Sequence, residues 1–344
     1  MTSAWHQHPI QPVSNARTQA ARDQFARLAG PPGSFGVLEE LATRMAGMQN
    51  RLDPRADPCQ ITLFAADHGV CAAGVAGMPP EVSPSLVRNA IQGGSPSAVL
   101  ARALDTRLEV VDVGLMHDPG DIPGLIRRRI APGSTDFRAT PAMSDQQLHT
   151  ALTAGREAVE RAAAQGCVLF GGGEIGAGKS TAAGAIACAL LGLPPESIAG
   201  PGSGHGTPEL LVRKAAVIQQ AVDHHQRFFS TPLDVLRRLG GFDTAALCGA
   251  YIACGQLGIT AVVDGFCSSV AALVAVTLHP PLKSWMIFGH RAAEPGQFAI
   301  FHTLDKRPIL NLDMRHGEGT GALAAIPLIR AACALLHEST PPTP

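Results

Sequence analysis

The stretch Cys167 to Leu191, CVLFGGGEIGAGKSTAAGAIACALL, constrains the fold more than any other part of the chain. An apolar run at 167–170 meets a glycine-dense turn and then an alanine-rich segment that favours a helix, which reads as strand, loop, helix. Gly173, Gly178, Lys179 and Ser180 satisfy the G-x-x-x-x-G-K-[ST] pattern, and Gly171, Gly173 and Gly176 fit a looser G-x-G-x-x-G. Both patterns describe a phosphate cradle. Glycines let backbone N–H groups converge, a helix N-terminus adds positive potential, and Lys179 adds a full charge. The alternative is a glycine-rich turn that only lets helix and sheet pack closely.

Around this unit, strand-like runs at 60–65, 108–113, 167–170, 259–263 and 285–288, with a weaker one at 308–312, alternate with helical patterns. The helical patterns lie at 83–104, 145–165, 181–192, 208–226, 243–256 and 267–278. That alternation predicts an α/β chain, a mostly parallel sheet with helices on both faces. Further helices are expected at 15–28, from Val37 to Met48 and at 320–337. A length of 344 residues allows about two domains, or one large α/β domain with an appendage. Polar and glycine clusters follow the strands, at Asp67-His68-Gly69, Asp112-Val113-Gly114, 171–179, Asp264-Gly265 and Gly289-His290-Arg291. Ligands in such sheets bind beyond the carboxyl ends of the strands, so these loops should share one crevice.

Composition narrows the partner. A net charge of −1 and 4% aromatic residues give neither the basic footprint nor the stacking platform of a nucleic-acid binder. The apolar stretch Ile259 to Leu278 is interrupted by Asp264, Gly265 and two serines, so no membrane span is expected. The start MTSAWHQHPIQP lacks the marks of a secretory signal. Eight cysteines without C-x-x-C or zinc-ligand spacing read as buried free thiols. A cytoplasmic protein with a small-molecule partner, and with no metal or cofactor, is the expectation.

The cluster 200–206 precedes a helix carrying Arg213 and Lys214, and offers a second phosphate or ribose contact, or a flexible turn. Glu318 lies between Gly317 and Gly319, either as a general base whose proton affinity is set by partial burial or as an acid complementing a helix dipole. Asp67-His68 is a catalytic pair or a turn, and His290-Arg291 with Glu294 forms a charged loop near the same crevice. These residues leave three functions open. One is a P-loop phosphotransferase or ATPase using Gly173–Ser180, with Asp264 at the end of ITAVVDG to hold Mg²⁺. Another is glycosyl transfer at a phosphorylated ribose. A non-enzymatic nucleotide-binding module is weaker, because so many polar loops converge.

From about residue 30 to 335 an ordered set of segments carries a resemblance. They are PPGSFGVLEELA (31–42), FAADHGV (64–70), IQGGSPSAVLAR (91–102), GEIGAGKSTAA (173–183), GGFDTAALCGA (240–250), VVDGFCSSVAALVA (262–275), GHRAAEPGQ (289–297) and GEGTGALAAIPLI (317–329). Together they resemble the nicotinate-nucleotide–dimethylbenzimidazole phosphoribosyltransferase family of cobalamin assembly. The resemblance implies a homodimer with a Rossmann-like sheet at 56–319 and a small helical domain from both termini, 1–55 with 320–344. It also implies transfer of phosphoribose from nicotinate mononucleotide to an azole base such as 5,6-dimethylbenzimidazole, with inversion from β to α and release of nicotinate.

Carried over residue by residue, Glu318 takes the azole proton. The 5′-phosphate falls to Gly176, Gly178, Ser180, Thr181, Gly202, Ser203, Gly204 and Lys214, with Lys179 as an added phosphate contact and Glu174 on the ribose hydroxyls. Met78, Glu81, Val82, His316 and Gly317 surround the base. The chain departs from the family pattern at Lys179-Ser180, where G-N-T-T is common, and at Ala76, Pro80, Ala292 and His316. The donor side is kept while the acceptor is opened to adenine or another azole.

Overall fold

In the computed structural model, residues 4–28, 31, 33–202 and 206–339 are described. Six strands form one sheet: β1 Cys59–Ala66, β2 Arg107–Gly114, β3 Leu125–Arg127, β4 Leu169–Ile175, β5 Thr260–Val263 and β6 Met286–Phe288. Their order is β3-β2-β1-β4-β5-β6 and every neighbouring pair is parallel. Phe64 of β1 pairs with Val111 on one side and Glu174 on the other. Every residue of β1 and β4 is buried, as expected of strands covered on both faces. Two short strands, β7 His290–Arg291 and β8 Leu310–Asn311, pair separately beyond β6.

Successive strand residues point to opposite faces, and β4 shows what covers each. A side chain at Gly172 would strike Leu247 of the Phe242–Leu257 helix, whereas one at Gly171 would meet Ile61 and Ala322 on the side of the Thr320–Glu338 helix. Helix Asp145–Ala164 packs against Phe242–Leu257. Helices Asn15–Phe25, Val37–Gln49 and Thr320–Glu338 pack on one another, so the two ends of the chain meet. The last of these is long and apolar enough to cross a membrane, but 56% of its most apolar window is buried inside the protein, and its apolar residues serve the core. All eight cysteines are free, seven of them buried.

The strand and helix expectations hold with three instructive differences. The pattern at 83–104 is two helices, Ser83–Ile91 and Pro96–Ala103. Gly93 and Gly94 break it, and the Ser95 hydroxyl accepts the Ala98 N–H to start the second. The helix Pro232–Leu239 begins at a capping box of Thr231 and Asp234, a signal the hydrophobic pattern did not mark. The strand expected at 167–170 runs on to Ile175, straight through the glycines taken for a loop.

Candidate active site

Strand order reverses between β1 and β4, and their carboxyl ends open into a crevice of about 160 Å³. At such a reversal the connecting loops part in opposite directions and leave room for a ligand. Asp67, next after β1, ties the mouth together. Its Oδ1 accepts the Ser83 hydroxyl at 2.6 Å and the Ala177 N–H at 2.9 Å, and its Oδ2 accepts the Met116 N–H at 2.9 Å. His68 is buried 3.1 Å from Asp243. Asp67 and His68 hold the loops in place and do not line the crevice.

The glycines of β4 serve a different end from a phosphate loop. A Cβ at Gly173 would lie 2.3 Å from the Gly319 nitrogen, so only glycine lets the Glu318 turn rest on the strand. The first glycine of G-x-x-x-x-G-K-S therefore sits inside a strand, and only Gly176-Ala177-Gly178 separate β4 from the helix Lys179–Leu191. Asp264, the residue that would hold Mg²⁺ in an ATPase, accepts the N–H groups of Gly319, Gly321 and Ala322 at 3.1, 2.7 and 3.0 Å. The Walker pattern is present as letters and absent as geometry.

One end of the crevice suits an anion. The Lys179–Leu191 helix starts at Gly178 with no side-chain cap, leaving leading N–H groups to a ligand. Lys214, on the helix Pro208–His225, is 2% exposed and donates to the Ser180 hydroxyl at 3.0 Å and the Gly200 carbonyl at 2.7 Å. Burial lowers its pKa, with Glu294 acting against. Glu294 accepts the Gly202 N–H at 2.6 Å through Oε1, while its Oε2 is buried without a partner among the described residues. Burial raises the Glu294 pKa, opposed by Lys214 and the Gly202 N–H.

The other end holds carboxylates. Gly317, Glu318 and Gly319 take φ of +78°, +56° and +71°, three left-handed residues in succession. A left-handed glutamate costs about 1–3 kcal/mol. The Asp264 contacts hold it there, with Thr320, whose N–H and hydroxyl donate to the Gly317 carbonyl at 3.1 and 2.7 Å. The buried Glu318 carboxylate accepts the Ser97 hydroxyl at 3.3 Å and lies 3.6 Å from His316 Nε2. Burial pushes its pKa up, but His316, Lys179 and Ser97 prevail and hold it below the ordinary carboxylate value. Its proton affinity is thus set by burial on one side and by the hydrogen bonds and charges of its neighbours on the other, and the neighbours win. Glu318 in turn raises the His316 pKa, against burial.

Glu174, one residue before the end of β4, is buried, and burial pushes its pKa up to about 7 although Lys179 pulls it down. The Lys179 ammonium donates to the Glu174 carbonyl at 2.8 Å and lies 3.5 Å from its carboxylate. Burial is the largest effect on the Lys179 pKa and would lower it, but Glu174, Glu318 and the other acidic neighbours together raise it. Lys179 therefore faces Gly317 and the carboxylate end, not Lys214.

Of the residues singled out in the sequence, Met78, Glu174, Gly176, Gly178, Lys179, Ser180, Gly202, Lys214, His316 and Gly317 line the crevice. The Glu318 carboxylate lies immediately behind His316. Thr181 is buried in its helix and outside the lining, its hydroxyl without a partner among the described residues. Glu81 and Val82 are exposed and outside it too, with Glu81 3.4 Å from His117. Ser203 and Gly204 lie outside the described residues. Residue-level reasoning missed Arg315 in the wall and Ser97 behind Glu318. The only sequence signal for Ser97 was its place in the segment 91–102, and Arg315 had none beyond adjacency to His316.

Comparison with known proteins adds identity to this geometry. Residues 10–341 match a family model described as phosphoribosyltransferase. The nicotinate-nucleotide–dimethylbenzimidazole phosphoribosyltransferase of Pseudomonas putida (strain KT2440) is 45% identical over 97% of this chain and 95% of its own length. The protein of the same name from Pseudomonas syringae pv. syringae (strain B728a) is 46% identical over the same shares. The crystal structure of CobT from Thermus thermophilus superposes with a TM-score of 0.89 at 40% identity, covering 94% of this chain and 96% of that one.

Proposed function

The chain belongs to the nicotinate-nucleotide–dimethylbenzimidazole phosphoribosyltransferase family, and on that premise we propose that it moves phosphoribose from nicotinate mononucleotide to a ring nitrogen of an azole base. The observation that carries this reading is the division of the crevice into an anion end at Lys214 and a carboxylate end at Glu318. A mononucleotide has the same polarity, with phosphate at one end and the reacting carbon toward the other.

In this reading the 5′-phosphate meets Lys214, Ser180, Gly176, Gly178 and Gly202, with Ser203 and Gly204 completing the clamp and Thr181 buried behind it. Glu174 faces the ribose hydroxyls. Met78, His316 and Gly317 border the azole, with Glu81 and Val82 on the exposed segment that follows Met78. The donor ring is a pyridinium-type N-glycoside, so nicotinate leaves as a neutral ring nitrogen and needs no general acid. As one azole nitrogen attacks C1′, the partner N–H becomes far more acidic than in the free azole. A carboxylate held ionised, as Glu318 is, is therefore a sufficient base. Holding both rings in line supplies further acceleration as positioning. The enzyme would work as a cytoplasmic homodimer in cobalamin assembly, with 1–55 and 320–344 forming a small helical domain on 56–319. Val75, Ala76 and Ala292, small apolar residues in the wall, leave few polar groups to single out one azole.

Incubation with nicotinate mononucleotide and a panel of dimethylbenzimidazole, benzimidazole and adenine tests the reading. Nicotinate release should require an azole, the product should be the α-riboside 5′-phosphate by NMR, and preference for dimethylbenzimidazole should be weak. Nicotinate release without any azole, or Mg²⁺-dependent ATP hydrolysis abolished by Lys179→Ala, would sink it.

A further inference from the structure

The proposed reaction, on which this inference rests, leaves Glu318 with a proton to shed on every turnover. The donor ring nitrogen enters as a cation and leaves neutral. The azole enters neutral and leaves neutral once its N–H proton is gone, so one proton is released per transfer. The Glu318 side chain is only 10% exposed. We propose that His316 accepts this proton from Glu318 and passes it to solvent.

The surroundings of Glu318 support that route. The Ser97 hydroxyl, at 3.3 Å, backs onto the buried Ser95 hydroxyl 2.8 Å away, which leads into the protein. Lys179 is already an ammonium committed to Glu174 and has no free lone pair. The oxygens of Asp264 are taken by three backbone N–H groups, with His290 Nε2 at 3.8 Å. His316 Nε2 lies 3.6 Å from Glu318 Oε2, and the His316 side chain is 44% exposed. Such contacts tighten when substrate closes a site. Among the described residues, His316 alone touches Glu318, reaches water and has a basic nitrogen to offer. The step balances: the O–H bond on Glu318 breaks, an N–H bond forms at Nε2, and the imidazolium loses a proton to water or buffer. Glu318, with Asp264 beyond it, favours the imidazolium, while burial and Lys179 oppose it.

His316→Gln keeps a polar side chain of similar size that does not titrate. In dilute amine buffer at pH 8 it should turn over about tenfold more slowly, less than the roughly 10²–10⁴ of a direct proton acceptor. Its KM for nicotinate mononucleotide should be unchanged, and raising the buffer concentration should restore the rate. Imidazole is avoided because it is itself an azole acceptor. The wild type should be insensitive to buffer and lose kcat as pH falls through the raised His316 pKa, a limb the variant lacks. A variant at full speed in dilute buffer, or a slow one that no buffer accelerates, overturns the relay. Absence of azole-dependent nicotinate release in the wild type instead overturns the proposed function, and the relay with it.

Discussion

The crevice holds two lysines, Lys214 buried and Lys179 partly so, and their charges are met in opposite ways. Lys179 has the Glu174 carboxylate 3.5 Å away, and that charge, with Glu318 and Asp243 among its other acidic neighbours, raises its pKa against the effect of burial. Lys214 rests on two neutral oxygens, has no carboxylate within ion-pair distance among the described residues, and its pKa is lowered by burial. A buried ammonium without a counter-charge is costly unless an anion arrives. In the proposed function, the difference separates the end that would receive the phosphate from the end whose charges are already balanced. It also explains why the G-K-S letters misdirect: the lysine of the motif belongs to the balanced end.

Removing Glu318 should break the comparison most severely. Glu318→Ala deletes the proposed base but leaves Lys214 and Ser180 untouched, so kcat should fall by roughly 10²–10⁴ while nicotinate mononucleotide still binds. Titration calorimetry with the mononucleotide alongside steady-state rates checks both halves. Near-normal turnover would remove Glu318 from the chemistry.

Stability against pH examines the same end without catalysis. Glu174 titrates near 7 in the fold and near 4.5 when exposed. The folded chain therefore binds its proton more tightly than the unfolded chain does. Stability from this group is present below pH 4.5 and lost as pH rises through 7. Glu174→Gln should abolish that decline, gaining up to about 3 kcal/mol relative to wild type at about pH 8. Denaturant melts at about pH 4.5 and 8 measure it, and parallel pH profiles would place the Glu174 pKa near its ordinary value.

What the letters revealed and what they hid divides along the same line. Burial on both faces makes β1 an unbroken apolar run, and glycines on both sides of Glu318 mark a turn that a substrate can approach, so both were legible. The extent of β4 was not, because glycine argues against a strand until one knows that the Glu318 turn lies on Gly173. Nor was the direction of Lys179. A lysine at a helix start reaches either side, and the choice fell to a carboxylate five residues earlier on β4. Contacts such as Ser97 with Glu318 join residues more than 200 positions apart, and local pattern carries no trace of them.

At the anion end the expected effect is smaller and falls on binding. Lys214→Met removes the charge-assisted contact for about 2 kcal/mol, roughly a thirtyfold rise in KM for nicotinate mononucleotide, with kcat little changed. A fall in kcat at constant KM would put Lys214 in the chemistry and not in the clamp.

Lys179→Asn should have the smallest effect on donor binding, although sequence pattern alone gave this residue a phosphate. Its ammonium faces Glu174 and Gly317, so its loss takes nothing from the phosphate clamp. Lys179 holds the Glu174 pKa down to about 7, so without it Glu174 would take up a proton and need no counter-charge. KM for nicotinate mononucleotide should therefore move by less than about threefold, within roughly 0.5 kcal/mol. The pH profile should register the change instead. Lys179 helps to hold the Glu318 pKa down, so without it Glu318 is protonated at higher pH and its contribution to the acidic fall of kcat shifts upward. A thirtyfold rise in KM with a fixed pH profile would reverse the assignment, making Lys179 the phosphate ligand and erasing the contrast between the two lysines.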